Sequence, residues 1–299
     1  MESNRIRIKN SQWTIEQHLQ KAHSFLKTHG ILQPRRDAEL IMRAVLKWDI
    51  AQLILRLKTS PAHHQAQAFW KGIYRRSLHE PIQYIVQHLE FFGIALAIKR
   101  GILIPRPETE LLVEEAIRFL VSRDRWRRPI LDLGTGSGCI AISLATRLSS
   151  EIWAVDQSSR ALAMARINAK KNVVQARIHY RRGNWFEALR QSDPRQFEAI
   201  LCNPPYLAWD EKNTLDLEVS YYEPHEALFA EREGLEHYWQ LAPQLSRFLT
   251  GTGRAFFEIH ALKAKAISII FRKYFKHVTI YRDLQDLPRV LIVEKKSKK

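Results

Sequence analysis

The chain has 299 residues, of which 45% are hydrophobic and 26% are charged, a composition typical of a folded globular protein. A net charge of +16 favours acidic partners such as nucleic acid or the ribosome, and is equally compatible with a surface that uses basic residues for solubility. Two distant cysteines, Cys139 and Cys202, exclude a disulfide framework and a zinc ribbon. No apolar run is long enough to span a bilayer, so we expect no membrane segment. The cysteine usage favours a cytoplasmic protein, and the adjacent His63 and His64 have no carboxylate or cysteine beside them, so we expect no metal site.

The first part of the chain has helical periodicity. Thr14-Ile15-Glu16-Gln17 fits a capping box, and apolar residues follow it at helical spacing until Gly30. Asp37 is predicted to cap a second helix, and residues 53–57 and 66–78 continue the helical pattern. The sequence therefore predicts a small helical domain over residues 1–80, which we expect to dock the substrate.

The pattern changes at Pro81. Ile82–Val86 and Phe91–Ile98 are rich in residues that favour strands, which predicts a β-hairpin linker over residues 81–103. From residue 104 to 299 strands alternate with helices, a pattern typical of an α/β fold with a doubly wound, mostly parallel, Rossmann-like sheet. The predicted helices include Cys139–Leu148, Ser158–Asn172 and Gly234–Leu249. The predicted strands are Pro129–Leu133, Ile152–Val155, Arg177–Tyr180, Ala199–Cys202, Arg254–Ile259, Val278–Tyr281 and Val290–Val293.

A glycine-rich loop follows the first strand of this sheet. Its residues are Gly134, Thr135, Gly136, Ser137 and Gly138, and neither a phosphate-binding P-loop nor the dinucleotide Gly-x-Gly-x-x-Gly spacing fits them. Glycines allow a ligand to approach bare backbone, and Asp156, twenty residues after Gly136 at the end of the next strand, can accept both ribose hydroxyls of a nucleoside. Asp132 could meet an ammonium group of the same ligand. We therefore predict an adenosyl ligand; the alternative for Asp156 is a turn residue before Ser158.

A second loop, Asn203-Pro204-Pro205-Tyr206, ends another apolar strand because two prolines cannot continue a central ladder. Ligands of doubly wound sheets bind outside the carboxyl ends of strands, so this loop is expected beside the glycine loop. The Asn203 side-chain oxygen and the Pro204 carbonyl could accept hydrogen bonds from a planar NH2 group and orient its nitrogen, and Tyr206 could pack on that group. A simple strand-ending turn is the alternative.

These segments together resemble the HemK/PrmC family, the bacterial peptide chain release factor N5-glutamine methyltransferases. The resemblance covers nearly the whole chain. The Asn-Pro-Pro-Tyr loop alone is shared with N6-adenine DNA methyltransferases. The proline-arginine loop (residues 104–110) and the Glu-Pro segment (residues 223–228) are more specific to the family. The segments that carry it are 104–110, 132–138, 154–156, Asn184-Trp185-Phe186, 203–206 and 223–228.

The resemblance implies a cofactor, a substrate and a set of site residues. S-adenosyl-L-methionine would be bound by the glycine loop (Gly134, Thr135, Gly136, Ser137, Gly138), Asp156, Trp185 and Asn203. Asn203, Pro204, Pro205 and Tyr206 would hold the glutamine, with Asn203, Pro204 and Tyr206 in catalytic roles. The partner would be a class I peptide chain release factor, with nucleic acid not required and the enzyme a monomer. For Trp185, a role as a core aromatic stays open.

Two alternatives and two departures accompany this resemblance. An N6-adenine nucleic-acid methyltransferase is favoured by the positive charge, and a glutamine methyltransferase acting on a ribosomal protein would share the reaction. Gln87 stands where the family usually has glycine. His260 and Lys263 stand where it usually has glycine and glutamine. Neither departure falls in the Asn203-Pro204-Pro205-Tyr206 loop.

Overall fold

A computed structural model describes residues 13–125 and 127–295; expectations that fall on residues 1–12, 126 and 296–299 lie outside it. The chain divides into two compact units. One comprises the chain up to Gln87 together with Leu217–Tyr222, and the other comprises His88–Asp216 and the chain from Glu223 onwards. No helix within the described ranges is long and apolar enough to cross a membrane.

The first unit is helical, as predicted. Its core contains Leu26, Ile41, Met42, Phe69 and Ile73, all shielded from solvent. The capping box is confirmed, since the Thr14 hydroxyl accepts the Gln17 N–H at 3.3 Å and the Gln17 side chain accepts the Thr14 N–H at 2.9 Å. The helices are α1 (Ile15–Thr28), α2 (Pro34–Leu46), α3 (Ile50–Leu55), α4 (His63–Ser77), α5 (Ile82–Val86) and α9 (Leu217–Tyr222).

We expect Thr14→Ala to lower the free energy of unfolding by about 1 kcal/mol, because one N-terminal N–H of α1 loses its acceptor. Urea unfolding followed by circular dichroism would measure the loss. Thr14→Ser keeps the hydroxyl and serves as the control. An alanine variant as stable as the serine variant would show that the cap contributes nothing here.

Asp37 does not cap α2, contrary to the prediction. The helix begins at Pro34, whose fixed φ suits the first helical position, and this places Asp37 one turn inside. Its buried carboxylate accepts a hydrogen bond from Arg76 Nε at 2.6 Å, and the same guanidinium donates to Glu218 at 2.5 Å. A buried guanidinium is tolerated when paired in this way, so Arg76 joins α2 to α9.

The strand predicted over Ile82–Val86 is wrong, because these residues form α5 and pack on the helical core. The apolar run is short, and packing decided its conformation. Gln87 ends α5 with a left-handed φ of 55°. Such a φ favours glycine, which explains the residue usual in the family. The hairpin is confined to β1 (Leu89–Phe91) and β2 (Ile94–Leu96).

The second unit contains the predicted doubly wound sheet. Its strands are β3 (Ile130–Leu133), β4 (Ile152–Asp156), β5 (Ile178–Arg182), β6 (Phe197–Cys202), β7 (Leu249–Glu258), β8 (His277–Arg282) and β9 (Pro288–Glu294). Their order in the sheet is β5-β4-β3-β6-β7-β9-β8; β3 to β7 run parallel and β9 is antiparallel to both neighbours. The helices are α6 (Thr109–Ser122), α7 (Cys139–Arg147), α8 (Ser159–Lys171), α10 (Glu231–Gly234), α11 (Glu236–Leu241), α12 (Leu245–Phe248) and α13 (Ala264–Arg272).

The single helix predicted over Gly234–Leu249 is interrupted: α11 and α12 lie within it, while Gly234 ends α10 and Leu249 begins β7. Pro243, between α11 and α12, lacks the N–H that a continuous helix needs. The apolar periodicity survives these breaks, because Tyr238, Leu241 and Leu245 are all buried.

The strand order reverses direction between β3 and β6, which makes their carboxyl ends the switch point of the sheet. Leu133 at the end of β3 pairs with Val155 of β4 on one side and with Cys202 of β6 on the other. The three chain segments that leave these strands therefore start side by side. These are the glycine loop, Asp156 with its turn, and the Asn203 loop.

Candidate functional site

A cavity opens at this switch point, outside the carboxyl ends of the strands where ligands of doubly wound sheets bind. All of its lining residues belong to the second unit. Of the residues predicted to form a site, Gly134, Gly136, Asp156, Trp185, Asn203 and Pro205 line it, whereas Thr135, Ser137, Gly138, Pro204 and Tyr206 do not.

The glycine loop presents backbone to the cavity. Gly134, Gly136 and Gly138 all have positive φ, between 55° and 84°, which side chains rarely adopt. A Cβ at Gly138 would lie 3.0 Å from Ala165 of α8, so this glycine is required by packing and not by the cavity. The Thr135 and Ser137 side chains are buried below the loop.

Asp132 lies under the loop and does not line the cavity. One carboxylate oxygen accepts hydrogen bonds from the Thr135 hydroxyl at 2.6 Å and the Ala141 N–H at 3.2 Å. The other has no partner among the described residues. Burial raises the pKa of Asp132 to about 7. The predicted contact with a ligand's ammonium group stays a prediction.

Asp156 lies in the turn before Ser158 and also lines the cavity. Its carboxylate accepts the Gly136 N–H and the Ser158 N–H, each at 2.8 Å, so it ties the glycine loop to the turn before α8. Burial raises the pKa of Asp156, and these two backbone donors oppose that shift. Each carboxylate oxygen has a second lone pair, and the residue lines the cavity. It can therefore still accept hydrogen bonds from a ligand.

Trp185 lies against the loop. A Cβ added at Gly134 would contact its indole ring at 3.5 Å. The indole N–H donates to the Gln240 side chain at 3.2 Å, and the ring meets His237 edge-on at 5.2 Å. Trp185 packs against the core and also lines the cavity, so one half-buried ring serves both packing and the site.

Asn203 reaches the cavity from the end of β6 and is held from behind. Its side-chain Nδ2 donates to the Thr109 hydroxyl at 3.2 Å, and that hydroxyl donates to Glu258 Oε2 at 2.6 Å. Glu258 is 2% exposed, and burial raises its pKa to about 7. The Tyr206 hydroxyl faces the other oxygen of the same carboxyl at 3.4 Å. Burial raises the pKa of Tyr206 as well, so this phenol stays protonated.

The backbone after Tyr206 is fixed by Lys263. Its ammonium group donates to the Tyr206 carbonyl at 3.0 Å and pairs with Glu211 at 2.6 Å. A Cβ at Gly234 would lie 2.1 Å from the same carbonyl, so only glycine fits there. The departure from the family pattern at position 263 thus places a donor on the loop.

Arg106 and Glu223, from two segments that carry the resemblance, are in contact. The Glu223 carboxylate accepts the Arg106 guanidinium at 2.6 Å and the Ile104 N–H at 3.0 Å. Glu223 is buried, and a charge-assisted pair of this kind fixes both chains. Pro224, the next residue, lines the cavity.

Several residues of the site escaped the sequence reasoning. Ile102, Leu103 and His237 line the cavity, and no spacing rule marks them; Asn184 and Glu226 also line it and lie in segments that carry the resemblance, without a role assigned to them. Thr109 and Glu258 carried a signal that was not used. Thr109 lies in the proline-arginine loop segment, and Glu258 is a lone carboxylate at the end of the apolar run Ala255-Phe256-Phe257.

Comparison with known families matches both units. Residues 17–86 match the PrmC N-terminal domain, and residues 109–218 match the methyltransferase small domain. A release factor glutamine methyltransferase of Koribacter versatilis is 33% identical over 94% of this chain and 99% of its own length. A bifunctional methyltransferase of Rickettsia prowazekii is 37% identical over 94% of this chain. The chain spans only 57% of that longer relative.

Solved structures show the same fold at low identity. A methyltransferase from Pyrococcus furiosus aligns with a TM-score of 0.50 and 16% identity, covering 69% of this chain and 90% of its own. The catalytic domain of hMettl16, in complex with MAT2A 3'UTR hairpin 6, aligns with a TM-score of 0.53 and 16% identity, covering 84% and 94%. At such identities the likeness concerns the fold alone.

Proposed function

Because the chain belongs to the release factor glutamine methyltransferase family, we propose that it methylates the side-chain amide nitrogen (N5) of a glutamine. The methyl donor is S-adenosylmethionine, and the acceptor is the Gly-Gly-Gln glutamine of class I peptide chain release factors. The observation that carries the proposal is Asn203, whose amide is anchored through Nδ2 at the cavity that the glycine loop also lines.

The residues that line the cavity suit the chemistry of the adenosyl cofactor. Gly134 and Gly136 offer backbone without side chains, Asp156 offers carboxylate acceptors for ribose hydroxyls, and Trp185 offers an aromatic face. Thr135, Ser137 and Gly138 then act through the shape of the loop and not through contact. Bound there, S-adenosylmethionine would supply an electrophilic methyl carbon for the amide nitrogen.

The work of the protein is to orient a weak nucleophile. An amide lone pair is delocalised, so its NH2 group must be held with the nitrogen aimed at the methyl carbon. We propose that Asn203 Oδ1 and the Pro204 carbonyl accept from the NH2 group and that Pro205 and Tyr206 confine its plane. Of these four, Asn203 and Pro205 line the cavity, whereas Pro204 and Tyr206 lie outside its lining. Tyr206 is not the base, because its hydroxyl stays protonated beside Glu258.

The helical unit is proposed to select the release factor. It matches the PrmC N-terminal domain over residues 17–86, and a separate domain can recognise the protein that carries the glutamine. The working form is then a cytoplasmic monomer that needs no nucleic acid. The +16 charge serves solubility or encounter with an acidic partner.

We expect transfer of a labelled methyl group to intact release factor and to no other acceptor offered. The others are a release factor whose Gly-Gly-Gln glutamine is replaced by alanine, unmethylated duplex DNA, and ribosomes. Peptide mass spectrometry should place the label on the glutamine. A synthetic Gly-Gly-Gln peptide should react more slowly than the intact factor, because it lacks the surface that the helical unit selects.

Two results would contradict the proposal. Label on N6 of adenine would favour the nucleic-acid alternative, since both acceptors offer a planar NH2 group and a DNA enzyme would also grip flanking phosphates. Undiminished label on the alanine variant would exclude the Gly-Gly-Gln glutamine as acceptor.

A further inference from the structure

Four side chains form one hydrogen-bonded chain behind the cavity. Asn203 follows β6, Thr109 begins α6, Glu258 ends β7, and Tyr206 closes the proline loop. The links are Asn203 Nδ2 to Thr109 Oγ1 at 3.2 Å, Thr109 Oγ1 to Glu258 Oε2 at 2.6 Å, and Tyr206 hydroxyl to Glu258 Oε1 at 3.4 Å. Thr109 is 1% exposed and Glu258 2%, so bulk water does not compete for these groups.

The direction of each hydrogen bond follows from counting protons. An ionised carboxylate only accepts, and a threonine hydroxyl has one proton to donate. Thr109 therefore donates to Glu258 and has only lone pairs left for Asn203. Asn203 must then turn its NH2 group towards Thr109, which leaves its Oδ1 as the atom available to the cavity.

We propose that Thr109 is a positioning residue that relays the charge of Glu258 to Asn203 and so fixes which end of the Asn203 amide faces the acceptor. This rests on the proposed function, since only an NH2-bearing acceptor needs an oxygen there. Without the relay, Asn203 can face the cavity with either its Oδ1 or its NH2 group. In the second orientation the NH2 hydrogens of Asn203 would face the NH2 hydrogens of the acceptor. The Tyr206 hydroxyl also contacts the Glu258 carboxyl. One buried carboxylate therefore orients the side chains at both ends of the Asn203–Tyr206 loop.

The relay should reverse when Glu258 takes a proton. A protonated Glu258 donates to Thr109, whose own proton then points to Asn203 and draws Oδ1 away from the cavity. Burial, the largest influence, raises the pKa of Glu258 to about 7; nearby Glu108 raises it further, and Arg289 and the two hydroxyls oppose it. The charged or titratable side chains around this carboxyl are Glu108, Cys139, Cys202, Tyr206, Tyr238 and Arg289.

Thr109→Val tests the relay, because it removes the hydroxyl and keeps the shape. We expect kcat for release factor to fall about tenfold, the effect of one hydrogen bond, with the Kd for S-adenosylmethionine unchanged by calorimetry. Thr109→Ser should restore kcat. The matched control is Thr250→Val, which removes a hydroxyl that donates to the equally buried Glu198 at 2.8 Å and lies outside the cavity lining.

The pH profile separates positioning from a loss of packing. The competent state needs ionised Glu258, so wild-type kcat should be full above pH 7 and fall as the pH drops through about 7. Glu258→Gln cannot titrate and should lower kcat while abolishing this acid limb. Thr109→Val should weaken the limb, because Glu258 no longer contacts Asn203 through Thr109 and only Tyr206 still contacts the carboxyl. An acid limb that persists unchanged in Thr109→Val overturns the proposal.

A spectroscopic readout needs neither substrate nor turnover. In protein labelled with 15N-asparagine, the Asn203 side-chain NH2 resonance is identified by its absence in Asn203→Asp. It should titrate with Glu258 in wild type and stay constant in Glu258→Gln. The relay is overturned if the chemical shift of the Asn203 NH2 group does not follow the ionisation of Glu258. It is also overturned if Thr250→Val lowers kcat as much as Thr109→Val does. If the Asn203 resonance titrates as expected but no methylation of release factor is seen, the proposed acceptor is wrong and the relay stands. If Thr109→Val fails to fold, the titration of the Asn203 resonance alone decides for or against the relay.

Discussion

Asn203→Ala is expected to lower kcat by about two to three orders of magnitude, the usual effect of removing a group that orients and stabilises the reacting centre. The structure supports this role by position, because Asn203 lines the cavity and is anchored through Nδ2 to the buried Thr109. Truncation would remove the proposed acceptor for the glutamine NH2 group. Single-turnover methylation of release factor at saturating S-adenosylmethionine is the measurement.

The control for this variant is Asn213→Ala, an exposed asparagine in the same connecting segment, which should leave kcat unchanged. Thermal melts of both variants confirm that each is folded. An Asn203→Ala protein that melts like wild type and turns over at the wild-type rate would remove Asn203 from the site.

Asp156→Ala is expected to weaken S-adenosylmethionine binding by about 1.5–3 kcal/mol for each charged hydrogen bond to a ribose hydroxyl, which corresponds to roughly 10- to 150-fold in Kd per bond. The structure adds a second source of loss. Asp156 also accepts the Gly136 N–H, so its removal frees the glycine loop from the turn before α8. Titration calorimetry with S-adenosylmethionine is the measurement.

Asp156→Asn separates the two sources. The asparagine side chain keeps one oxygen, which can accept from the loop or the ligand, and replaces the other oxygen with an NH2 donor. Affinity for S-adenosylmethionine should therefore fall while the melting temperature changes little. Asp49→Ala, which removes a carboxylate that accepts one backbone N–H in the helical unit, should leave the Kd unchanged. An unaltered Kd for Asp156→Ala would exclude the ribose contact.

The fold was predictable wherever the signal is local. Thr14 and Gln17 are three residues apart, and their capping box formed as expected. Each predicted strand of the large sheet lies on an observed one within a few residues, because long apolar runs bounded by turns are characteristic of buried strands. The errors fall where local preference is weak. Ile82–Val86 packs as a helix, and Pro243 divides a periodic segment between α11 and α12.

The site was predictable as a set of loops and not as a set of contacts. Gly134, Gly136, Asp156 and Asn203 were expected at one edge of the sheet and line one cavity there. Thr135 and Ser137 were expected beside them but turn inward. A loop motif specifies that the chain must bend, whereas the direction of each side chain depends on what packs beneath it.

The sequence by itself determined the two loops, the strand-helix alternation and the acidic residue at the end of β4, because glycine, proline and apolar periodicity act over a few neighbouring residues. Only the tertiary structure decided which distant groups meet. Thr109 and Glu258 are 149 residues apart and lie 2.6 Å from each other, and Arg106 and Glu223 are 117 apart and lie 2.6 Å from each other. Such pairs form because a polar group carried into the interior must find a partner there, and the partner is whichever residue the sheet order brings to the same edge.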